Sequence, residues 1–145
     1  MSEITECVEV PLACVCDSAN QSRDGKLNIL GEFDVLLARS FPCMHPQMSY
    51  AAKARWPLRL GNSMRFSLRV VDAEEKVVAG PLHFEVRNAS PKVKDSEYGM
   101  LIALPIAMAT FTRPDTYYFV LSARDEEFNR IPFHVILDPR LAGNR

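Results

Sequence analysis

Cysteine and aspartate residues crowd the stretch 14–34, CVCDSANQSRDGKLNILGEFD, and are the first candidates for chemistry in this chain. Three of its acidic residues are Asp17, Asp24 and Asp34. Calcium and magnesium ions take several oxygen ligands, so such a group could hold a hard cation. Its spacing does not match a D-x-D-x-D-G loop, and aspartate also caps turns and strand ends. We therefore expect turn capping here, with a metal site as the alternative.

Four thiols raise the question of zinc. They belong to Cys7, Cys14, Cys16 and Cys43, and His45 lies close to the last of them. Structural zinc sites use ligand pairs at C-x₂₋₄-C spacing with a second pair downstream, whereas the close cysteine pair here is C-x-C. Residues two apart on a strand point to the same face, so Cys14 and Cys16 would share one side. We expect reduced, buried thiols, with a site built from Cys14, Cys16, Cys43 and His45 as the alternative.

No run of residues matches a known catalytic motif. The nucleophile elbow G-x-S-x-G, a glycine-rich phosphate loop and the zinc-protease signatures are absent from the sequence. His45 lies between two prolines, and His83 and His134 occupy outward positions of alternating segments. Triads assemble across space, so a histidine paired with Cys43 or an aspartate stays open. We assign no catalytic, cofactor-binding or metal-binding residue and favour a non-enzymatic role.

Basic residues form the sharper candidate for a binding surface. Four cations alternate with apolar residues in two neighbouring segments: Lys53, Arg55, Arg65 and Arg69. If those segments, 48–57 and 62–71, pair as strands, all four side chains project to one side of a sheet. Like charges opposite one another cost stability, so the cluster would suggest an anionic partner. The alternative is ordinary ion pairing with Glu85 and with the acidic turn at 72–75.

Hairpins would position these side chains. The stretch 14–34 predicts an opening hairpin with its loop near 18–25, and Gly31 marks a bulge or a bend in it. Residues 62–87 and 116–137 predict two more hairpins, each turned by a polar cluster.

Alternation predicts which side chains form the core. Residues 63–71 show the clearest period of two, and 48–57 show a similar one. The side chains expected to face inward from these two strands are Met48, Tyr50, Ala52, Ala54, Trp56, Met64, Phe66, Leu68 and Val70. Residues 41–46 predict a proline-bounded connection, and the polar stretch 88–98 predicts an exposed loop.

Residues 100–111 are apolar at both odd and even positions, so their periodicity does not distinguish a buried strand from a buried helix. Pro105 disfavours a helix interior and a central strand alike. We predict an extended segment with Pro105 at a bulge or on a sheet edge. At an edge, a second chain could cover its second apolar face, which makes self-association a hypothesis.

Short motifs resemble a known family. The pattern A-x-x-C-D at 13–17, followed by GKLNILG-x-FD at 25–34, is similar to the opening of a bacterial family of small uncharacterised proteins, a domain of unknown function. Its members similarly continue with a strand like ARW at 54–56 and close with a hairpin like YYFVL at 117–121 followed by RIPFHV at 130–135. The resemblance implies a β-rich single domain without an assigned activity, so no functional residue carries over.

Length and charge limit the function classes. A chain of 145 residues fits one domain. Its 17 basic and 18 acidic residues give no bias toward nucleic acid or an anionic membrane. The acidic N-terminus lacks the features of a signal peptide, and no segment has the unbroken apolar length of a membrane helix. We expect a cytoplasmic protein that binds neither nucleic acid nor membrane.

The spacing of strand and turn signals predicts an all-β fold. We expect an antiparallel β-sandwich of about eight or nine strands, immunoglobulin-like in general architecture. It would form one domain over 1–145, frayed at 1–7 and 138–145. The favoured function is a non-enzymatic binding or assembly module that has a protein partner or forms a homo-oligomer and needs no cofactor. The alternative is a small-molecule or metal-binding protein, with or without catalysis, acting near the 14–34 hairpin.

Overall fold

Nine β-strands make up most of the chain that the computed structural model describes, which is residues 8–87 and 97–142. The strands are β1 (Glu9–Gln21), β2 (Leu27–Glu32), β3 (Val35–Ala38), β4 (Cys43–Pro57), β5 (Ser63–Val71), β6 (Val77–Arg87), β7 (Glu97–Phe111), β8 (Asp115–Ala123) and β9 (Glu126–Leu137). A 3₁₀ turn at Leu58–Leu60 follows β4, and a single helical turn, α1 (Pro139–Ala142), follows β9. The predicted all-β fold is confirmed.

The strands form two sheets. A four-stranded sheet has the order β2-β1-β4-β7 and is antiparallel. A five-stranded sheet has the order β3-β9-β8-β5-β6, in which the pair β3–β9 is parallel and the others are antiparallel. One buried apolar cluster draws side chains from both sheets, so the architecture is a β-sandwich, as predicted. It is not wholly antiparallel as expected, because β3 and β9 pair in parallel.

The core follows the predicted alternation. Every inward side chain predicted on β4 is fully buried, and those predicted on β5 are at most 3% exposed. Aromatic rings meet between the sheets, since Trp56 of β4 lies 5.9 Å from Phe66 of β5, centroid to centroid. Phe111 of β7 lies 4.8 Å from Tyr117 of β8, edge to face. Such pairs add about 0.5–1.5 kcal/mol each to the burial of their surface.

The opening hairpin forms with a shorter loop than predicted. Strand β1 runs to Gln21, β2 begins at Leu27, and the turn between them closes through Gly25 N–H donating to Ser22 O at 3.1 Å. Gly31 has a φ of +69°, and a Cβ there would collide with the carboxylate of Asp17 on the opposite strand. The β1–β2 register nevertheless continues past Gly31 without a shift, so the predicted bulge does not form there.

The far end of this hairpin folds over the outer face of the four-stranded sheet. Gln21 Nε2 donates to Leu101 O of β7 at 2.8 Å, although β4 lies between β1 and β7 in that sheet. Ser49 and Ala51 of β4 point away from the core, yet they are 4% and 0% exposed. The folded-over hairpin explains their burial. We call residues 21–26 the hairpin tip.

Two expectations about β4 are wrong. The predicted connection at 41–46 is partly strand, because β4 already begins at Cys43. The pairing of 48–57 with 62–71 does not form, because β4 belongs to the four-stranded sheet and β5 to the five-stranded one. The 3₁₀ turn between them carries the chain across the core, so these consecutive strands pack face to face.

Strand β7 confirms the extended segment predicted at 100–111. It pairs with β4 from Glu97 to Phe111 and stands at the end of its sheet. Pro105 therefore lies on an edge strand, where a missing N–H leaves the ladder intact.

Both ends of the chain and one internal stretch are described only in part. Residues 1–7 and 88–96 lie outside the described residues, and with them the predicted N-terminal fraying and most of the loop predicted at 88–98. At the other end, Asp138 is 5% exposed and accepts a hydrogen bond from Arg140 N at 3.0 Å. Among the described helices, none is long and apolar enough to cross a membrane.

Candidate binding cleft

The metal sites considered for the opening hairpin do not assemble. Cys14 and Cys16 share the outward face of β1, opposite Ala51 and Ser49, whereas Cys43 starts β4 at its other end, opposite Phe111. Asp17, Asp24 and Asp34 do not form a ligand group either. Within residues 8–87 and 97–142, no three His, Cys, Asp or Glu side chains are placed to hold a metal ion.

Burial differs from one cysteine to the next: Cys16 is buried, as expected, whereas Cys14 and Cys43 are only partly buried. Cys16 is fully buried, and its Sγ lies 3.6 Å from the backbone oxygen of Ser49. Burial and the neighbouring Cys14 thiol raise the pKa of Cys16 to about 11. Burial also raises the pKa of Cys14 and of Cys43. Since the thiolate is the reactive form of cysteine, these three residues are poor nucleophiles at neutral pH.

Aspartate acts as a turn former in the hairpin tip. The hydroxyl of Ser22 donates to Asp24 Oδ1, and Lys26 Nζ lies 3.0 Å from Asp24 Oδ2. These two contacts lower the pKa of Asp24. Asp34 accepts a backbone hydrogen bond from His134 N at 2.8 Å, which links β3 to β9. These contacts agree with the expected structural role.

Each histidine has a structural neighbour. His45 lies within β4, with its ring 5.8 Å from that of Phe33. His134 Nδ1 lies 3.1 Å from Thr116 Oγ1, and His83 is exposed on β6 opposite Ser67. A histidine paired with a thiol or a carboxylate is not found in the described part of the chain.

The four predicted cations divide between the two outer faces of the sandwich. Arg65 and Arg69 lie on the five-stranded sheet, where Arg65 stands opposite Glu85. Arg69 Nη1 donates to Ser122 Oγ at 3.1 Å, and its Nη2 lies 3.9 Å from Glu127. Arg69 thus follows the ion-pairing alternative, whereas Arg65 faces Glu85 across the ladder without an ion pair among the described residues. Lys53 and Arg55 lie on the opposite side of the molecule, on β4.

Lys53 and Arg55 line a cleft beside the hairpin tip. The cleft has a volume of about 940 Å³ and lies between the hairpin tip, the outer face of β4 and β7, and the end of β6. Arg23 of the hairpin tip faces the same space. Within the described residues, none of these three cations forms an ion pair. The acidic groups on the walls are already engaged, since Asp24 pairs with Lys26 and Glu85 with Arg87.

A second, apolar cavity continues the cleft along β7. Its volume is about 300 Å³, and Leu68, Val70, Leu82 and Ile106 are among its lining residues. The first cavity reaches Leu104, and the second begins at the next residue of the strand. We call the two cavities together the edge groove, since they follow β7 over residues 99–107 beside β6.

Arg87 also lines the cleft but pairs with Glu85, and of the other three cations there, sequence reasoning identified two. Lys53 and Arg55 stood out by alternation, whereas Arg23 had no signal beyond a polar loop. Arg23 reaches the cleft because the hairpin tip packs against β7, a contact between residues far apart in the chain.

A family model described as "Family of unknown function (DUF6941)" matches residues 11–136. The matched range runs from β1 into β9 and so includes both sheets and the edge groove. No curated protein matches the chain.

Proposed function

We propose that this chain, which belongs to the family of unknown function DUF6941, is a non-enzymatic binding module that recognises an acidic segment of a partner protein in the edge groove. The observation that carries the proposal is the set of three cations, Arg23, Lys53 and Arg55, that share one cleft without a carboxylate partner among the described residues. Gathering like charges costs free energy unless a ligand of opposite charge compensates it.

Other arginines of the protein support this interpretation by contrast. Arg130 bridges Glu75 and Glu127 at 2.6 and 2.8 Å, and Arg113 lies 3.2 Å from Asp115. Arg140 lies 3.2 Å from Asp138. The fold thus places carboxylates beside many of its cations, and the cleft departs from that pattern.

A protein segment fits the groove better than a nucleic acid. The whole chain has nearly equal numbers of basic and acidic residues, and Asp24 and Glu85 also line the cleft. A continuous phosphate backbone would pass these carboxylates, whereas separate acidic side chains can avoid them. The apolar cavity beyond Leu104 favours a ligand that also carries apolar side chains.

The proposal includes a bacterial, cytoplasmic setting. The bacterial origin rests on the resemblance of the opening motif. The cytoplasm is supported by the cysteines at positions 14, 16 and 43, which are all free thiols. Free thiols are usual in a reducing compartment.

Charge reversal tests the proposed function. We expect Lys53→Glu/Arg55→Glu to weaken binding of a capped ten-residue peptide of alternating glutamate and serine by at least about tenfold, which corresponds to about 1.4 kcal/mol. Fluorescence anisotropy with labelled peptide at low salt measures this, and added salt should weaken the wild-type complex.

The matched control changes the net charge equally outside the groove. Arg39 and Lys76 are both exposed, and Arg39→Glu/Lys76→Glu should bind within about twofold of the wild type. An equal loss in both double variants would show a non-specific charge effect, and a wild-type protein that does not bind the peptide would refute the proposal.

A further inference from the structure

We infer that the acidic segment binds as an added β-strand on the free edge of β7, so that backbone hydrogen bonds hold it together with the cations of the cleft. This inference rests on the proposed function and specifies its binding mode. Extended peptides commonly bind in this way to an unpaired sheet edge, where backbone groups supply affinity and pockets for alternate side chains supply specificity.

Strand β7 offers such an edge. It is the last strand of the four-stranded sheet, and it pairs with β4 on one side. On the other side lies the edge groove, with β6 as its far wall. In the described part of the chain, no strand pairs with this side of β7.

Two residues show which backbone groups face the groove. Pro105 lacks an N–H and sits in the middle of a ladder that is continuous with β4, so its nitrogen belongs on the free side. The carbonyl of Leu101 accepts a hydrogen bond from the side chain of Gln21, which places it on the free side as well. The N–H and C=O of one strand residue point the same way, so alternate residues share this direction. Ala103 and Ala107 therefore present their N–H and C=O groups to the groove.

The residues that line the edge groove determine which side chains an added strand could carry. Side chains on its inner face would enter the apolar cavity near Leu68, Leu82 and Ile106, which suits valine or alanine. Side chains on its outer face would lie on the side of Lys53 and Arg55, which suits aspartate or glutamate. The segment should therefore alternate small apolar residues with polar ones and be acidic at the end near the hairpin tip.

Gln21 and Pro105 limit what the edge can accept. The side chain of Gln21 occupies the carbonyl of Leu101, and Pro105 offers no donor. Natural proteins use such devices to keep edge strands from pairing with unrelated chains. The backbone N–H and C=O groups of Ala103 and Ala107 remain available to a ligand whose side chains match the groove.

Single substitutions on the edge test strand addition. The probe is a capped ten-residue peptide in which valine alternates with threonine in one half and with glutamate in the other, made in both end-to-end orders. Ala107→Pro removes one N–H on the free side without breaking the ladder with β4, and we expect at least about a tenfold loss of affinity. Ala107→Val keeps the N–H and should lose far less affinity than Ala107→Pro. Pro105→Ala restores an N–H and should bind more tightly.

Hydrogen exchange gives a readout that does not depend on a variant. In the wild-type protein, the peptide should slow amide exchange at Ala103 and Ala107 at least tenfold. Ile102 and Ile106, whose amides face β4, serve as internal references and should change much less.

The outcomes separate this inference from the proposed function. If charge reversal at Lys53 and Arg55 abolishes binding while Ala107→Pro and the exchange rates of Ala103 and Ala107 show no effect, the partner is acidic but strand addition is overturned. If neither set of changes affects binding, both proposals fail. If light scattering shows a dimer that Ala107→Pro dissociates, a second copy of the chain occupies the edge, and the acidic-segment inference is overturned.

Discussion

Cys16 carries a thiol that the fold keeps protonated. It lies on β1 within the opening hairpin and is fully buried beside Ser49 O. Burial is the main cause of its raised pKa of about 11, and Cys14, Asp17 and Glu32 add to the shift. The shift means that the folded protein binds this proton more tightly than the unfolded chain does. The free energy of unfolding therefore varies with pH in the alkaline range.

We therefore expect the free energy of unfolding to fall as pH rises from about 9 toward 11. Below the ordinary thiol pKa both states keep the proton, and the contribution of Cys16 is fully present. Between the two pKa values only the unfolded chain loses the proton, and stability falls by up to about 1.4 kcal/mol per pH unit for one such group. Urea unfolding under reducing conditions at several pH values measures this slope.

Cys16→Ala isolates this residue. Burial also raises the pKa of Cys14, Tyr50 and Tyr117, so part of the slope should remain in the variant. The variant is compared with itself across pH, because the lost side chain lowers its stability at neutral pH as well. A slope identical to that of the wild type would contradict the assignment.

The opening hairpin acts as a cover for the outer face of the sheet. Ala51 lies on β4 beneath it and is fully buried, whereas Ala107 lies on the same face of β7 and is exposed. Both residues are alanines on the same face of a β-strand. They differ in that the hairpin covers Ala51 but not Ala107.

This arrangement predicts a difference between two identical substitutions. Ala51→Val should destabilise the protein by about 1–3 kcal/mol, because extra methyl groups must displace the hairpin. Ala107→Val should change stability by no more than about 0.5 kcal/mol. Chemical denaturation of both variants checks this, and equal costs would show that the hairpin does not press on β4.

The elements show where sequence reasoning succeeds. Strand β5 and the inner face of β4 follow simple alternation, and the hairpins join neighbouring segments, so local patterns were sufficient. The pairing of β4 with β7 and the burial of Ser49 and Ala51 depend on residues far apart in the chain. Alternation states which side chains share a face but says nothing about what covers that face.

The same limit applies to the cleft. Lys53 and Arg55 were identified because they sit on an alternating strand, and Arg65 and Arg69 separated from them because β4 and β5 face each other across the core. Arg23 was missed because its position depends on the packing of the hairpin tip against β7, which is distant in the sequence.

On the scale of the whole molecule, one aromatic cluster joins the two sheets. The ring of Phe133 on β9 lies 5.9 Å from Phe111 of β7 and 5.5 Å from Phe119 of β8. It also meets Phe33 at 5.4 Å, edge to face. A core shared in this way supports the proposal that the chain is a single domain.

We expect the two sheets to unfold together. Phe133→Ala should cost about 3–5 kcal/mol, because it opens a cavity between the sheets. Trp56 lies on the four-stranded sheet, so its fluorescence reports on that sheet, whereas far-UV circular dichroism reports on the whole protein. Within each protein the two signals should give coincident transitions, and both transitions should shift equally in the variant. A Trp56 transition unaffected by Phe133→Ala would show that the sheets are separate folding units.

The parallel pair β3–β9 brings residues 35–38 beside residues 134–137. An early strand of the chain therefore pairs with the last strand. During synthesis the four-stranded sheet has all its strands once β7 has emerged from the ribosome, but the five-stranded sheet must wait for β9. Until then, we expect the nascent chain to carry an uncovered aromatic face, and exposed apolar surface of this kind is what chaperones bind. A ribosome stalled shortly before β9 should therefore hold a chain that proteases still cut readily, and release of the last strand should end that sensitivity.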